Sequence, residues 1–93
     1  MNTEKATDIV KKTIAKVTEH QLAITEDMQL VGREAVLDSM KLVEVCLALE
    51  DFADDTGFEF DWTSEAAMSK SRGMFRTVAA LAEELLRQWE QTQ

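Results

Sequence analysis

The sequence predicts an all-α fold, a small bundle of helices forming one domain over residues 1–93. Three observations carry this expectation. The chain has no proline and only three glycines, so it holds few of the residues that break helices or turn hairpins. Ala, Leu, Glu, Lys and Met, which lose little side-chain freedom in a helix, are plentiful. Apolar residues also return at three-and-four spacing in separate stretches. A chain of this length buries only somewhat more than half of its unfolded surface, so a single compact core is all it can build.

The first helix is expected from about Thr3 to His20, with Ile9, Val10, Thr13, Ile14 and Val17 on one side and Lys11, Lys12, Lys16 and Glu19 on the other. From Gln21 to Leu37 the period is lost, but Leu22, Ile24, Met28, Leu30 and Val36 remain. Free linkers seldom hold so many apolar residues, so this is a long connection pegged to the core, turning at Gly32. The second helix begins at Ser39, or one residue earlier, and ends near Phe52 or Ala53. Asp38 suits its N-cap, accepting from the first free backbone N–H groups, and Asp54-Asp55-Thr56-Gly57 reads as its stop. Phe58-Glu59-Phe60-Asp61-Trp62 alternates apolar and polar, as in a short extended piece or an anchored loop. Thr63 to Arg76 is rich in Ser, Lys and Arg, with one or two helical turns at Ala66, Ala67 and Met68. The last helix runs from about Thr77 to Trp89 or Gln91, with Val78, Leu81, Ala82, Leu85 and Trp89 facing inward.

Net charge is −8, and its placement says more than its size. Asp38, Glu44, Glu50, Asp51, Asp54, Asp55, Glu59 and Asp61 stand against a single base, Lys41, between positions 38 and 61. Such a face repels nucleic-acid phosphates and anionic membranes and steers cationic protein surfaces toward it. No nucleic-acid partner is therefore expected. A solvated face kept acidic for solubility is the plainer explanation of the same charges. No apolar run approaches the roughly 20 residues of a membrane span, and the opening MNTEKATDIVKK lacks the apolar core of a secretory signal. The expectation is a cytoplasmic protein.

The second helix carries apolar residues on two sides. At about 100° per residue, Leu42, Val45, Cys46, Leu49 and Ala53 collect on one face, which is the core face. Met40, Val43 and Leu47 fall roughly opposite, bordered by Glu44, Glu50 and Asp51. This second stripe either packs under the first connection or forms an exposed apolar strip with an acidic rim, as transient interfaces do. The interleaved acids favour exposure, because unpaired buried carboxylates are costly. Cys46, alone in the chain, has no intramolecular disulfide partner and reads as an inert buried thiol. Trp62 and Trp89 read as core plugs.

The stretch Val36-Leu37-Asp38-Ser39-Met40-Lys41-Leu42 resembles the acyl carrier family, in which Asp-Ser followed by Met or Leu opens the second helix. The resemblance covers approximately residues 28 to 86. Leu42-Val43-Glu44-Val45-Cys46-Leu47-Ala48-Leu49-Glu50-Asp51-Phe52 looks like that family's second helix. Phe75-Arg76-Thr77-Val78-Ala79-Ala80-Leu81 is similar to the Thr-Val segment opening its last one. What the resemblance implies is a four-helix bundle of acyl-carrier type, with a long loop between the first two helices and a short third helix. It further implies a covalent 4′-phosphopantetheine arm, derived from coenzyme A, on Ser39. The arm's thiol would hold acyl or aminoacyl groups as thioesters. Asp38, Met40, Val43, Glu44, Leu47, Glu50 and Asp51 become partner-facing positions. The implied partners are a phosphopantetheinyl transferase and loading or transferring enzymes with basic docking surfaces, met by a monomeric, non-catalytic protein.

Three departures point to a specialised carrier rather than the housekeeping one of fatty-acid synthesis. Val36 stands where fatty-acid carriers often have Gly, and Leu37-Asp38-Ser39-Met40 looks more like aminoacyl carriers. Lys41 replaces an acid, and the segment from Phe60 to Val78 is several residues longer than usual.

Other chemistries fit the sequence poorly. A catalytic serine needs a base and an oxyanion hole, yet Ser39 lacks Gly-x-Ser-x-Gly flanks and the single histidine, His20, is remote. A calcium loop starting at Asp51 would need an oxygen ligand at its third position and Gly at its sixth, where the chain has Ala53 and Thr56. The alternative from a different class is an unmodified acidic helical adaptor acting only through protein–protein contacts.

Overall fold

The computed structural model describes residues 1–19, 23–30, 37–65 and 73–92. Three helices organise them: α1 (Thr3–Val17), α2 (Ser39–Thr56) and α3 (Val78–Glu90). α1 packs along α3 and, less extensively, against α2. Among the described residues there is no strand, only an isolated antiparallel bridge between Gln29 and Thr77. The all-α expectation therefore holds. Helical backbone also occurs at Glu65 and at Gly73–Met74. The turns expected at Ala66, Ala67 and Met68 lie outside the described residues, as do His20, Leu22, Gly32 and Val36.

α1 opens on Asn2, whose side chain accepts the Lys5 N–H at 2.8 Å. Glu4 in its first turn and Lys16 in its last complement the helix dipole. Ala6, Thr7, Val10 and Ile14 form its buried face, while Ile9 and Val17 pack at the margin of the core. The helix ends at Val17, short of His20. Thr18 folds its hydroxyl back onto the carbonyls of Ile14 and Ala15. Glu19 then turns into the left-handed region at φ 58°, a position that ends a helix.

α2 extends beyond the expected stop at Phe52 or Ala53, and Asp54, Asp55 and Thr56 belong to it. Its end is set by Gly57 at φ 100°. The Phe58 N–H bonds to the Ala53 carbonyl at 2.9 Å and the Gly57 N–H to that of Asp54 at 3.2 Å. This is the Schellman pattern, sealed by an apolar contact across the turn. Here that contact is an edge-on pairing of Phe52 and Phe58, with ring centroids 6.5 Å apart. Tertiary packing of Phe58 thus outweighs the modest helix propensity of the two aspartates.

α3 starts one residue later than expected, because Thr77 is its N-cap. The Thr77 hydroxyl accepts the Ala80 N–H at 3.1 Å. The two amides before it, Val78 and Ala79, donate to the Met28 and Glu26 carbonyls at 3.0 and 2.9 Å. The connection after α1 is therefore pegged to the start of α3. Its Leu30 is fully buried, and Ile24 and Met28 pack against the core.

Phe58 and Phe60 are buried and the backbone around them is not a strand, so this stretch is an anchored loop. Ile14, Leu30, Leu49, Leu81 and Leu85 are the largest fully buried side chains. Each contributes on the order of 1.5–3 kcal/mol by leaving water. Every buried side-chain nitrogen or oxygen among the described residues has a hydrogen-bond partner. No described helix is long and apolar enough to cross a membrane.

Candidate functional site: the start and outer face of α2

The site begins one residue before the helix. Leu37 is buried, while Asp38, next to it, is exposed with an extended backbone. The Asp38 carboxylate accepts the Lys41 N–H at 2.8 Å, and its carbonyl accepts the Leu42 N–H at 3.0 Å. Leu37 and Leu42 flank this cap, and both belong to the apolar cluster of the core. An apolar pair at these two positions fixes the angle at which a chain enters its helix. Ser39 follows the cap and is exposed. The sequence placed Ser39 at the helix start and Asp38 as its cap, and both are found there.

The two faces of α2 separate as the periodicity requires. Val45, Cys46, Leu49 and Ala53 are buried, and Leu42 is half-buried. Met40, Val43 and Leu47 are 76%, 43% and 48% exposed. Among the described residues they are the large hydrophobic side chains left open to water, at i, i+3 and i+7 on one helix face. The second stripe is therefore not core. Glu44 and Asp51 are exposed beside it. Lys41 reaches Glu44 at 3.4 Å, with both side chains about half in solvent, so the pair contributes little stability.

Glu50 has a different environment from its neighbours. It is half-buried, and its carboxylate accepts the Trp62 indole N–H at 2.8 Å. The contact joins the loop after α2 to the helix face. Below it, burial and then the nearby Glu50 charge push the Cys46 thiol up to about 12. The reactive thiolate is thus suppressed. Cys46 is an apolar filler in this structure, in keeping with its position on the core face.

Two residues that the sequence reading missed hold the loop in place. Gln88 is buried on α3 and its amide grips the main chain of Asp61 from both sides. Its Oε1 accepts the Asp61 N–H at 2.6 Å, and its Nε2 donates to the Asp61 carbonyl at 2.9 Å. Nε2 also donates to Glu84 at 2.8 Å. Glu84 in turn holds Arg87, and that hydrogen bond raises the pKa of the guanidinium further above its ordinary value. The available signal was a glutamine three residues after Leu85 in an otherwise apolar series. Trp62 and Trp89 both pack against the core while remaining partly exposed.

No described titratable group other than Asp38 and Lys41 stands within two residues of Ser39. The Asp38 carboxylate is engaged in capping. The arrangement offers an open hydroxyl on a helix whose first turn contains no acid. No group of three His, Cys, Asp or Glu side chains among the described residues is placed to hold a metal ion. No protein-family model, curated protein or solved structure matches the chain.

Proposed function

We propose that this protein is a carrier of acyl-carrier type, a four-helix bundle with a short third helix, whose Ser39 hydroxyl accepts a 4′-phosphopantetheine arm. The observation that carries the reading is the combination at the start of α2. An exposed serine follows directly on a capping aspartate, and an apolar strip rimmed by acids runs away from it along the same helix. The residues suit the group. Ser39 is accessible, and it sits at the helix end that favours anions, next to an Asp38 carboxylate already engaged in capping.

Ser39 would be the sole covalent attachment point. A phosphopantetheinyl transferase, with Mg²⁺, would supply the base. In that reaction the serine oxygen forms a bond to the β-phosphorus of coenzyme A, and the pyrophosphate bond breaks to release the nucleotide. The serine proton goes to the enzyme. Once attached, the arm supplies a thiol that carries acyl or aminoacyl groups as thioesters. Asp38 holds the start of the helix in place. Met40, Val43 and Leu47 give a partner its apolar contact, while Glu44 and Asp51 steer basic enzymes. Glu50, tied to Trp62, contributes mainly by holding the rim in shape. On this reading the protein is a monomeric cytoplasmic carrier, itself without catalytic activity.

Intact mass tests the proposal. Incubation with a promiscuous transferase and coenzyme A should add about 340 Da to the wild type. Ser39→Ala should gain nothing, and a Ser39→Ala protein that still took the arm would end the assignment. The exposed strip also fits an unmodified adaptor. That reading gains if the wild type stays at its apo mass yet still binds a basic partner through Leu47.

A further inference from the structure

We propose that the thioether of Met40 is a reversible peroxide-oxidation site, which switches the outer face of α2 from apolar to polar. The chemistry stands on the placement of the sulfur; its consequence rests on the docking role proposed for that face.

The methionines are unequal in their access to solvent. Met40 is 76% exposed, whereas Met74 is 5% exposed. Met28 is half-buried, and its sulfur accepts the Thr25 N–H at 3.1 Å. Met1 is partly buried against the core. Oxidation needs a sulfur lone pair to reach the peroxide, so burial and an N–H on sulfur both slow it. Cys46, the other sulfur in the described structure, is buried with its thiolate suppressed. Among the described residues, Met40 is left as the open one.

The step balances with hydrogen peroxide or an organic hydroperoxide as oxidant. The sulfur lone pair forms an S–O bond as the O–O bond breaks, and the departing oxygen takes up a proton to leave as water or an alcohol. Sulfur is oxidised by two electrons and the peroxide is reduced by two. The product is a polar sulfoxide, which thiol-dependent methionine sulfoxide reductases return to the thioether. Because Met40 lies outside the core, the fold survives the change. The apolar strip loses its leading member, next to Ser39.

The test begins with the native protein treated with dilute hydrogen peroxide, quenched with catalase, digested and mapped by mass spectrometry. Each sulfoxide adds about 16 Da, and Met40 should oxidise roughly tenfold faster than Met74 or Met28, with the gap closing in guanidinium chloride. Equal rates in the native protein would overturn the site. For the consequence, the rate of arm transfer to Ser39 is measured before and after oxidation. Oxidised wild type should react several-fold more slowly and recover after reductase treatment. Met40→Leu, judged against its own untreated rate, should lose nothing. An unchanged rate in the oxidised wild type, or an equal loss in Met40→Leu, would overturn the switch. Untreated protein that takes no arm would count against the carrier reading, whereas the oxidation map decides Met40 by itself.

Discussion

The starts of α2 and α3 are built alike and put to different use. Each opens on an extended residue whose side chain accepts an N–H three positions on, Asp38 from Lys41 and Thr77 from Ala80. At α3 the earlier chain then folds back, and the Met28 and Glu26 carbonyls take the next two amides. Val78 is fully buried there. At α2 the matching positions are Ser39 and Met40, both exposed. The comparison teaches that a cap decides where a helix starts, while contacts made beyond the cap decide whether that start is closed. The helix sides differ in the same way. The apolar residues of α3 pack onto the core, whereas those of α2 divide between core and water.

The contrast between the sides of α2 should show the largest effect. Leu49 is fully buried and Leu47 is not. Leu49→Ala should cost on the order of 2–4 kcal/mol, since it opens a cavity in a small core. Leu47→Ala should cost much less in a denaturant titration but slow arm transfer, because apolar residues near an interface centre carry much of its binding energy. Equal destabilisation by the two would place the outer strip in the core and break the comparison.

The contrast between the two helix starts comes next in size. Thr77→Ala and Asp38→Ala should each cost about 1 kcal/mol, the usual loss on removing a cap. Their functional effects should differ. Asp38→Ala should also slow modification of Ser39, because it frees the helix end that presents the hydroxyl, while Thr77→Ala should leave the transfer rate near that of the wild type. Matching transfer rates for the two variants would show that the cap does not present Ser39.

The smallest change in stability should come from reversing a rim charge. Glu44→Lys should shift stability by no more than about 0.5 kcal/mol, as exposed ion pairs contribute little. Its effect belongs to encounter with the transferase. Association should weaken at low salt, and the difference should shrink as the Debye length falls to about 10 Å at 0.1 M. Kinetics indifferent to the substitution at low salt would remove charge steering from the account.

What could be read in the sequence was whatever rests on near neighbours. Asp38 and Ser39 were legible because capping is a contact between residues three apart. The exposed strip was legible because helical period and charge together leave Met40, Val43 and Leu47 no buried side to occupy. The ends of the helices were less so. Asp54, Asp55 and Thr56 look like a stop, but Phe58 closes on Phe52 and keeps that turn helical. Thr18 and Glu19 end α1 without the glycine that would have marked the place. The Trp62–Glu50 and Gln88–Asp61 contacts join residues 12 and 27 positions apart, and no local pattern announces them.

The grip of Gln88 on Asp61 has a consequence for how this protein can change over generations. A glutamine amide carries the same donor and acceptor as a peptide group, so it holds the loop as a neighbouring strand would, with no strand present. Since the hold is on main chain, side chains nearby such as the exposed Glu59 can be replaced while the loop keeps its course. Position 88 has no such latitude. A glutamate there would aim a second acceptor at the Asp61 carbonyl, and a leucine would remove both of the bonds that Gln88 makes to the Asp61 main chain. One residue on α3 thus absorbs the constraint and leaves the neighbouring loop residues free to drift.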